Sequence, residues 1–122
     1  MTNRVGDLLG DQTPVQVEGN ATVREAGRMM TDRNVGSVVV VEDGKLLGIF
    51  TERDALRIFV ATRRNADLTE VRDVMTREPK CIGPDTLASD ALAMMNEGGY
   101  RHLPVMDGDT LLGVVSRRVL IT

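Results

Sequence analysis

A hydroxyl residue and a carboxylate three positions later follow an apolar stretch in the segment Gly48-Ile-Phe-Thr51-Glu-Arg-Asp54. At a helix start, a threonine can cap the first turn and an acidic residue three positions on can bond back to it, which is a purely structural role. The same helix start offers N–H groups that suit a phosphate, and a carboxylate one turn in can accept both hydroxyls of a ribose. The spacing therefore predicts either a helix cap or a nucleotide contact.

A second version of this segment, Gly113-Val-Val-Ser116-Arg-Arg-Val119, lies near the end of the sequence. Ser116 keeps the hydroxyl, but Val119 stands where the first segment has its carboxylate. Its two arginines and Arg101 could donate charge-assisted hydrogen bonds to a phosphate, or they could form a solvated surface. The acidic group is thus present in one segment of the two.

Both segments belong to an internal repeat with an offset of 65 residues. Positions 14–57 share nine identities with positions 79–122 without a gap, among them Met29-Met30 with Met94-Met95 and Leu46-Leu47-Gly48 with Leu111-Leu112-Gly113. Each copy contains a short apolar alternation, a helical stretch, a β-branched or apolar run, an acidic turn with glycine, and a second strand that leads into another helix. The repeat predicts a β-α-β-β-α unit, with the methionines in the core or at an interface.

A unit of this size cannot bury its apolar strands alone. We therefore expect an α/β (α+β) fold in which two β-α-β-β-α repeats pack as one compact module with pseudo-twofold symmetry. Repeat 1 is placed at residues 1–64 and repeat 2 at residues 65–122. The polar segment 62–68 that joins them is expected to lie outside the core. Clefts between such copies are where small ligands usually bind.

Composition argues against several classes of function. A pI near 5.1 and an aromatic content of 2% do not suit a nucleic-acid binder. Cys81 and His102 are the only cysteine and histidine, so neither a metal site nor a catalytic pairing is predicted, and both residues are expected to lie in strands or the core. No apolar run approaches the ~20 residues of a membrane span, and we expect a cytoplasmic protein.

The tandem β-α-β-β-α repeat, the Gly48–Asp54 motif and the segment Tyr100-Arg-His-Leu-Pro-Val105 resemble a pair of cystathionine-β-synthase (CBS) domains, the Bateman module. The resemblance runs from Val5 to Ile121. It implies non-catalytic, regulatory binding of an adenosine compound: AMP, ADP, ATP or S-adenosylmethionine. Binding would change the conformation or association of the module and could be read by an effector protein. No resident cofactor, nucleic acid or membrane is implied.

In this family the ligand cleft is shared between the two copies, and the resemblance implies a role for each matching residue. Asp54 would hold the ribose hydroxyls, and Thr51 would contact ribose or phosphate. The second copy would supply the rest: Pro79 and the backbone around Lys80 for the adenine edge, Tyr100 beside the base, Arg101, His102 and Arg118 toward the phosphates, and Ser116 near the same cleft.

Val119 departs from the family pattern because the ribose-binding Asp belongs at that position, so we expect one competent site and not two. The second copy has six residues after Ser116, which predicts a short last helix and uncovered apolar surface. In the family these helices often pair, and a homodimer is therefore expected. A structural or dimerisation module with a vestigial ligand site is the alternative function.

Overall fold

The computed structural model describes residues 3–121 and divides into two compact units. The first-repeat unit spans Val15–Pro79, and the second-repeat unit joins the segment that ends at Pro14 to the segment that begins at Lys80. The repeats were placed at 1–64 and 65–122 on sequence similarity, whereas these units reflect packing. The chain passes between units after Pro14 and after Pro79, which are equivalent positions of the repeat.

Each repeat forms the predicted β-α-β-β-α order, although the opening strand of the second copy is reduced to one bridge, between Ile82 and Val105. In chain order the elements are α1 (Val5–Leu9), β1 (Gln16–Glu18), α2 (Val23–Arg33), β2 (Ser37–Glu42), β3 (Lys45–Thr51), α3 (Glu52–Leu56), a π-helical segment (Arg57–Ala61), a 3-10 turn (Val71–Asp73), β4 (Thr76–Arg77), α4 (Ala88–Gly98), β5 (His102–Asp107), β6 (Thr110–Ser116) and α5 (Arg117–Leu120).

The first-repeat unit contains a four-stranded sheet in the order β1-β2-β3-β4, in which only β1 and β2 pair in parallel. Between β2 and β3 the chain reverses through Asp43 and Gly44, both with positive φ, as two-residue hairpins prefer. β2 is central and Val38, Val39 and Val40 are fully buried, which matches its β-branched sequence. In the second-repeat unit, β5 and β6 form the equivalent hairpin.

α2 is capped by Thr22, whose hydroxyl accepts the Glu25 N–H at 3.1 Å. Two further N–H groups of its first turn donate to carbonyls in or next to the joining segment: Val23 to Thr69 at 2.9 Å and Arg24 to Ala66 at 3.1 Å. The expectation that segment 62–68 stays outside the core was wrong for Ala66, which is 2% exposed. It is buried because its carbonyl completes the helix start.

Each unit has its own aliphatic core, and each core draws on a segment from the start of the other repeat. Val71 and Met75, near the start of repeat 2, are buried with β2, β3 and α2 in the first-repeat unit. Val5 and Leu9, near the start of repeat 1, are buried with Leu103 and other residues of the second-repeat unit. The related stretches Val5–Leu9 and Val71–Met75 thus play equivalent parts in opposite units.

Candidate functional site

The start of α3 is built by a reciprocal pair of hydrogen bonds between Thr51 and Asp54. The Thr51 hydroxyl accepts the Asp54 N–H at 3.2 Å, and Asp54 Oδ2 accepts the Thr51 N–H at 3.0 Å. The capping interpretation of this motif is therefore confirmed. It fixes the side chains of both predicted ligand residues on one short turn at the end of β3.

Asp54 is buried, with 8% of its surface exposed, which is unusual for an acidic residue. Its second oxygen, Oδ1, lies 3.4 Å from Nη2 of Arg57, whose side chain is 59% exposed. A carboxylate can accept about four hydrogen bonds, so these two contacts leave acceptor capacity on Oδ1. Arg57 was not among the predicted site residues, although its spacing of three from Asp54 on a helix could have indicated the contact.

Gly48 of the motif is required by close packing within the sheet. A Cβ on Gly48 would lie 2.5 Å from the Thr76 carbonyl oxygen and 2.7 Å from Sδ of Met75. β4 can pair with β3 only because this position has no side chain. Gly48 therefore allows the segment after the 3-10 turn to pack closely against β3, the strand that leads into Thr51.

The first turn of α3 is also tied to the start of β2. The Glu52 N–H donates to the Gly36 carbonyl at 3.0 Å, and Ser37, the first residue of β2, is the cross-strand partner of Thr51. Ser37 is buried, and sequence analysis did not single it out as a site residue. The acid of the motif thus lies on a turn held by two neighbouring strands.

The second copy repeats this arrangement without the acid. His102 is the cross-strand partner of Ser116, and the Arg117 N–H donates to the Arg101 carbonyl at 2.8 Å. Three predicted ligand residues, Arg101, His102 and Ser116, are therefore brought together at one end of the β5–β6 hairpin. The Ser116 hydroxyl accepts the Val119 N–H at 3.4 Å, but no carboxylate bonds back.

The other predicted residues of the second copy differ in exposure. Lys80, Arg101 and Arg118 are exposed, and Tyr100 is exposed at 39%, whereas Pro79 and His102 are half-buried. The Tyr100 ring lies against Gly98, in the space that a Cβ there would fill. The glycine at the end of α4 therefore allows the ring to fold over the helix terminus.

Neither Cys81 nor His102 takes part in a metal-ligating cluster. Within residues 3–121, no group of three or more His, Cys, Asp or Glu side chains could hold a metal ion. Burial raises the pKa of the Cys81 thiol, which disfavours the reactive thiolate. The expected strand at Cys81 was wrong: the residue is half-buried and precedes the bridge at Ile82. Over the same described part of the chain, no helix has the length and apolar character to cross a membrane.

Comparison with protein-family models gives a match to the CBS domain over residues 5–61 and again over residues 71–122. Among curated proteins, the CBS domain-containing protein CBSX3, mitochondrial, of Arabidopsis thaliana is 41% identical over 100 residues. That alignment covers 78% of this chain and 48% of the relative, so the chain spans about half the length of that protein.

Solved structures give the same fold. A CBS-domain containing protein from Agrobacterium tumefaciens superposes with a TM-score of 0.91 at 28% identity, covering 98% of this chain and 97% of the other. A CBS domain protein from Pyrobaculum aerophilum complexed with AMP superposes with a TM-score of 0.86 at 27% identity, covering 95% of this chain and 88% of the other. The predicted tandem repeat and its mixed α+β fold are thereby confirmed.

Proposed function

Because this chain belongs to the CBS domain family, with two tandem copies of the domain, we propose that it is a regulatory module that binds an adenosine compound and does not catalyse a reaction. The observation that carries the proposal is the buried Asp54 carboxylate, which retains acceptor capacity on Oδ1 at the end of β3. The AMP complex of the Pyrobaculum aerophilum relative supports an adenosine ligand. AMP, ADP, ATP and S-adenosylmethionine are the candidates.

Asp54 accepts the ribose hydroxyls in this proposal, and Thr51 contacts the ribose or a phosphate. A diol on a buried carboxylate gives hydrogen bonds to a charged acceptor, each worth ~1.5–3 kcal/mol. We carry forward the second-copy residues as further ligand contacts: Pro79, Lys80, Tyr100, Arg101, His102, Ser116 and Arg118. The clustering of Arg101, His102 and Ser116 at one end of a hairpin supports an anion-binding part for those three.

Isothermal titration calorimetry tests the proposal directly. The wild-type chain is titrated with the four candidate compounds, and the Asp54→Asn variant with the one that binds most tightly. We expect a stoichiometry of one per chain, because Val119 leaves the second copy without the acid. Absence of binding by all four compounds would reject the function. Equal affinity in Asp54→Asn would reject the assignment of Asp54 while leaving adenosine binding in place.

A structural or dimerisation module with a vestigial site is the second candidate. It is favoured by the capping box, because that role alone accounts for the presence and burial of Thr51 and Asp54. The two candidates differ in the effect of ligand on thermal unfolding. A regulatory module gains stability as ligand concentration rises, whereas a vestigial site gives the same Tm at every concentration.

We also propose that the chain forms a homodimer through the helical stretch after Asp54. Leu56, Phe59 and Val60 lie close together in this stretch and are 63%, 52% and 68% exposed, which is costly for a free surface. Phe59→Glu is expected to shift the mass measured by light scattering from two chains to one, with the exposed Arg64→Glu as the matched control. A wild-type mass of one chain would reject the proposal.

A further inference from the structure

We propose that Arg57 is the second half of a ribose-diol site whose first half is Asp54, an inference that rests on the proposed function. The two oxygens of the Asp54 carboxylate have different surroundings. Oδ2 accepts the Thr51 N–H at 3.0 Å and is committed to the helix cap. Oδ1 is the oxygen that retains acceptor capacity, and it faces Nη2 of Arg57.

The distance of 3.4 Å between Oδ1 and Nη2 is long for a hydrogen bond between charged groups, which are usually 2.7–2.9 Å apart. The two side chains are therefore in contact, but their hydrogen bond is longer than is usual for charged groups. A ribose hydroxyl both donates and accepts hydrogen bonds, so it can donate to Oδ1 while it accepts from the guanidinium. Asp54 and Arg57 together offer the acceptor and the donor that a sugar hydroxyl needs.

The backbone places Arg57 at the point where α3 gives way to the π-helical segment. The Arg57 backbone N–H donates to the carbonyls of both Arg53 and Asp54, and these bonds hold Arg57 one turn beyond Asp54. Single π-helical turns are frequent at functional sites. The Arg57 side chain is more than half exposed while Asp54 is buried, so a ligand can reach the guanidinium without unfolding the cap.

This arrangement predicts discrimination at the sugar. The ribose hydroxyl that bridges Oδ1 and Arg57 satisfies both groups, whereas a deoxyribose without this hydroxyl leaves both groups without that partner. The contribution of Arg57 must then depend on the hydroxyl. A residue that only stabilises the fold would affect the binding of both sugars equally.

Calorimetric titration of AMP, 2′-deoxy-AMP and 3′-deoxy-AMP separates these cases, in the wild-type chain and in Arg57→Gln, with Arg64→Gln as the matched exposed control. We expect Arg57→Gln to weaken AMP binding roughly two- to fivefold, the range of a partly exposed charged contact. The same variant should leave the affinity for at least one deoxy analogue unchanged. Arg57→Lys keeps the charge but loses the planar guanidinium. Its affinity for AMP should lie between those of the wild type and Arg57→Gln.

Each outcome decides a different point. If the wild-type chain binds none of the three nucleotides, the adenosine function and this inference both fail. If it binds AMP and both deoxy analogues equally, adenosine binding stands and the diol site is rejected. If the wild type prefers AMP and Arg57→Gln keeps the same preference, Arg57 is rejected and Asp54 alone reads the sugar. Thermal unfolding of each variant without ligand confirms that Arg57→Gln is folded.

Discussion

Thr51 and Asp54 each accept the backbone N–H of the other, at 3.2 Å through the hydroxyl and at 3.0 Å through the carboxylate. One side chain therefore serves both the start of a helix and the proposed ligand site. Structure and binding can be separated here because an amide still accepts a hydrogen bond but carries no charge.

Asp54→Ala is expected to lower the free energy of unfolding by about 0.5–2 kcal/mol, because the Thr51 N–H loses its acceptor. Asp54→Asn should cost less, since its amide oxygen can still accept that N–H. The measurement is urea unfolding without ligand, compared with the wild type. Equal destabilisation by both substitutions would mean that the charge, and not the acceptor, holds the helix start.

Val119→Asp should stabilise the second copy. Ser116 already accepts the Val119 N–H at 3.4 Å, and an aspartate at that position could accept the Ser116 N–H in return. It would also lie in the first turn of α5, beside Arg117 and Arg118. We expect a gain of about 0.5–1 kcal/mol in urea unfolding relative to Val119→Ala. A loss of stability relative to that control would contradict the equivalence of the two helix starts.

Gly48→Ala and Gly113→Ala form a matched pair at equivalent positions of the repeat. At Gly48 the new methyl meets the backbone oxygen of Thr76 at 2.5 Å, whereas at Gly113 its nearest neighbour is the end of the Gln12 side chain at 2.7 Å. A side-chain end can move aside and a strand carbonyl cannot. We expect Gly48→Ala to cost ~1–3 kcal/mol and Gly113→Ala clearly less, by urea unfolding. The reverse order would be incompatible with this packing.

Val5→Ala and Val71→Ala should loosen opposite units. Both residues are fully buried, Val5 in the core of the second-repeat unit and Val71 in that of the first-repeat unit. Each substitution should cost ~1–3 kcal/mol. Hydrogen exchange locates the effect: Val5→Ala should lower protection in β5 and β6, and Val71→Ala in β2 and β3. Loss of protection in β2 and β3 on Val5→Ala, or in β5 and β6 on Val71→Ala, would refute the division into these two units.

Cys81 should react slowly with an alkylating reagent at neutral pH. Burial raises the pKa of its thiol, so the folded chain holds less thiolate than an unfolded one. The folded state also keeps this proton at a pH where the unfolded chain has lost it. The free energy of unfolding therefore falls as pH rises past the ordinary thiol pKa, and this slope should vanish in Cys81→Ala. An alkylation rate equal to that of the urea-unfolded chain would contradict the burial.

The sequence was sufficient to predict the repeat, its strands other than the one at Cys81, and the cap at Thr51, because these depend on local patterns. The β-branched run at Val38–Val41 became the central strand, and the spacing of Val23, Ala26 and Met30 became the buried face of α2. The partner of Val5 could not be predicted in this way. An apolar helix face indicates burial but does not specify which of two similar cores receives it.

The same limit applies to the candidate site. Asp54 was predicted as a site residue from its spacing to Thr51, but Arg57 was not. A spacing of three residues permits a contact on a helix but does not specify how close the two side chains lie. Ala66 shows the converse case: a small residue in a polar segment was drawn into the core by a backbone hydrogen bond, which composition does not report.

The chain's return to the second-repeat unit after Pro79 has a consequence for synthesis on the ribosome. The first-repeat unit is complete once Pro79 has emerged, and it can fold while translation continues. Val5 and Leu9 leave the ribosome before any of it, yet their neighbours in the core, such as Val105 and Val115, are made after it. Helix α1 must therefore remain without its core until β5 and β6 have been made, and for that interval its apolar face is a target for chaperones.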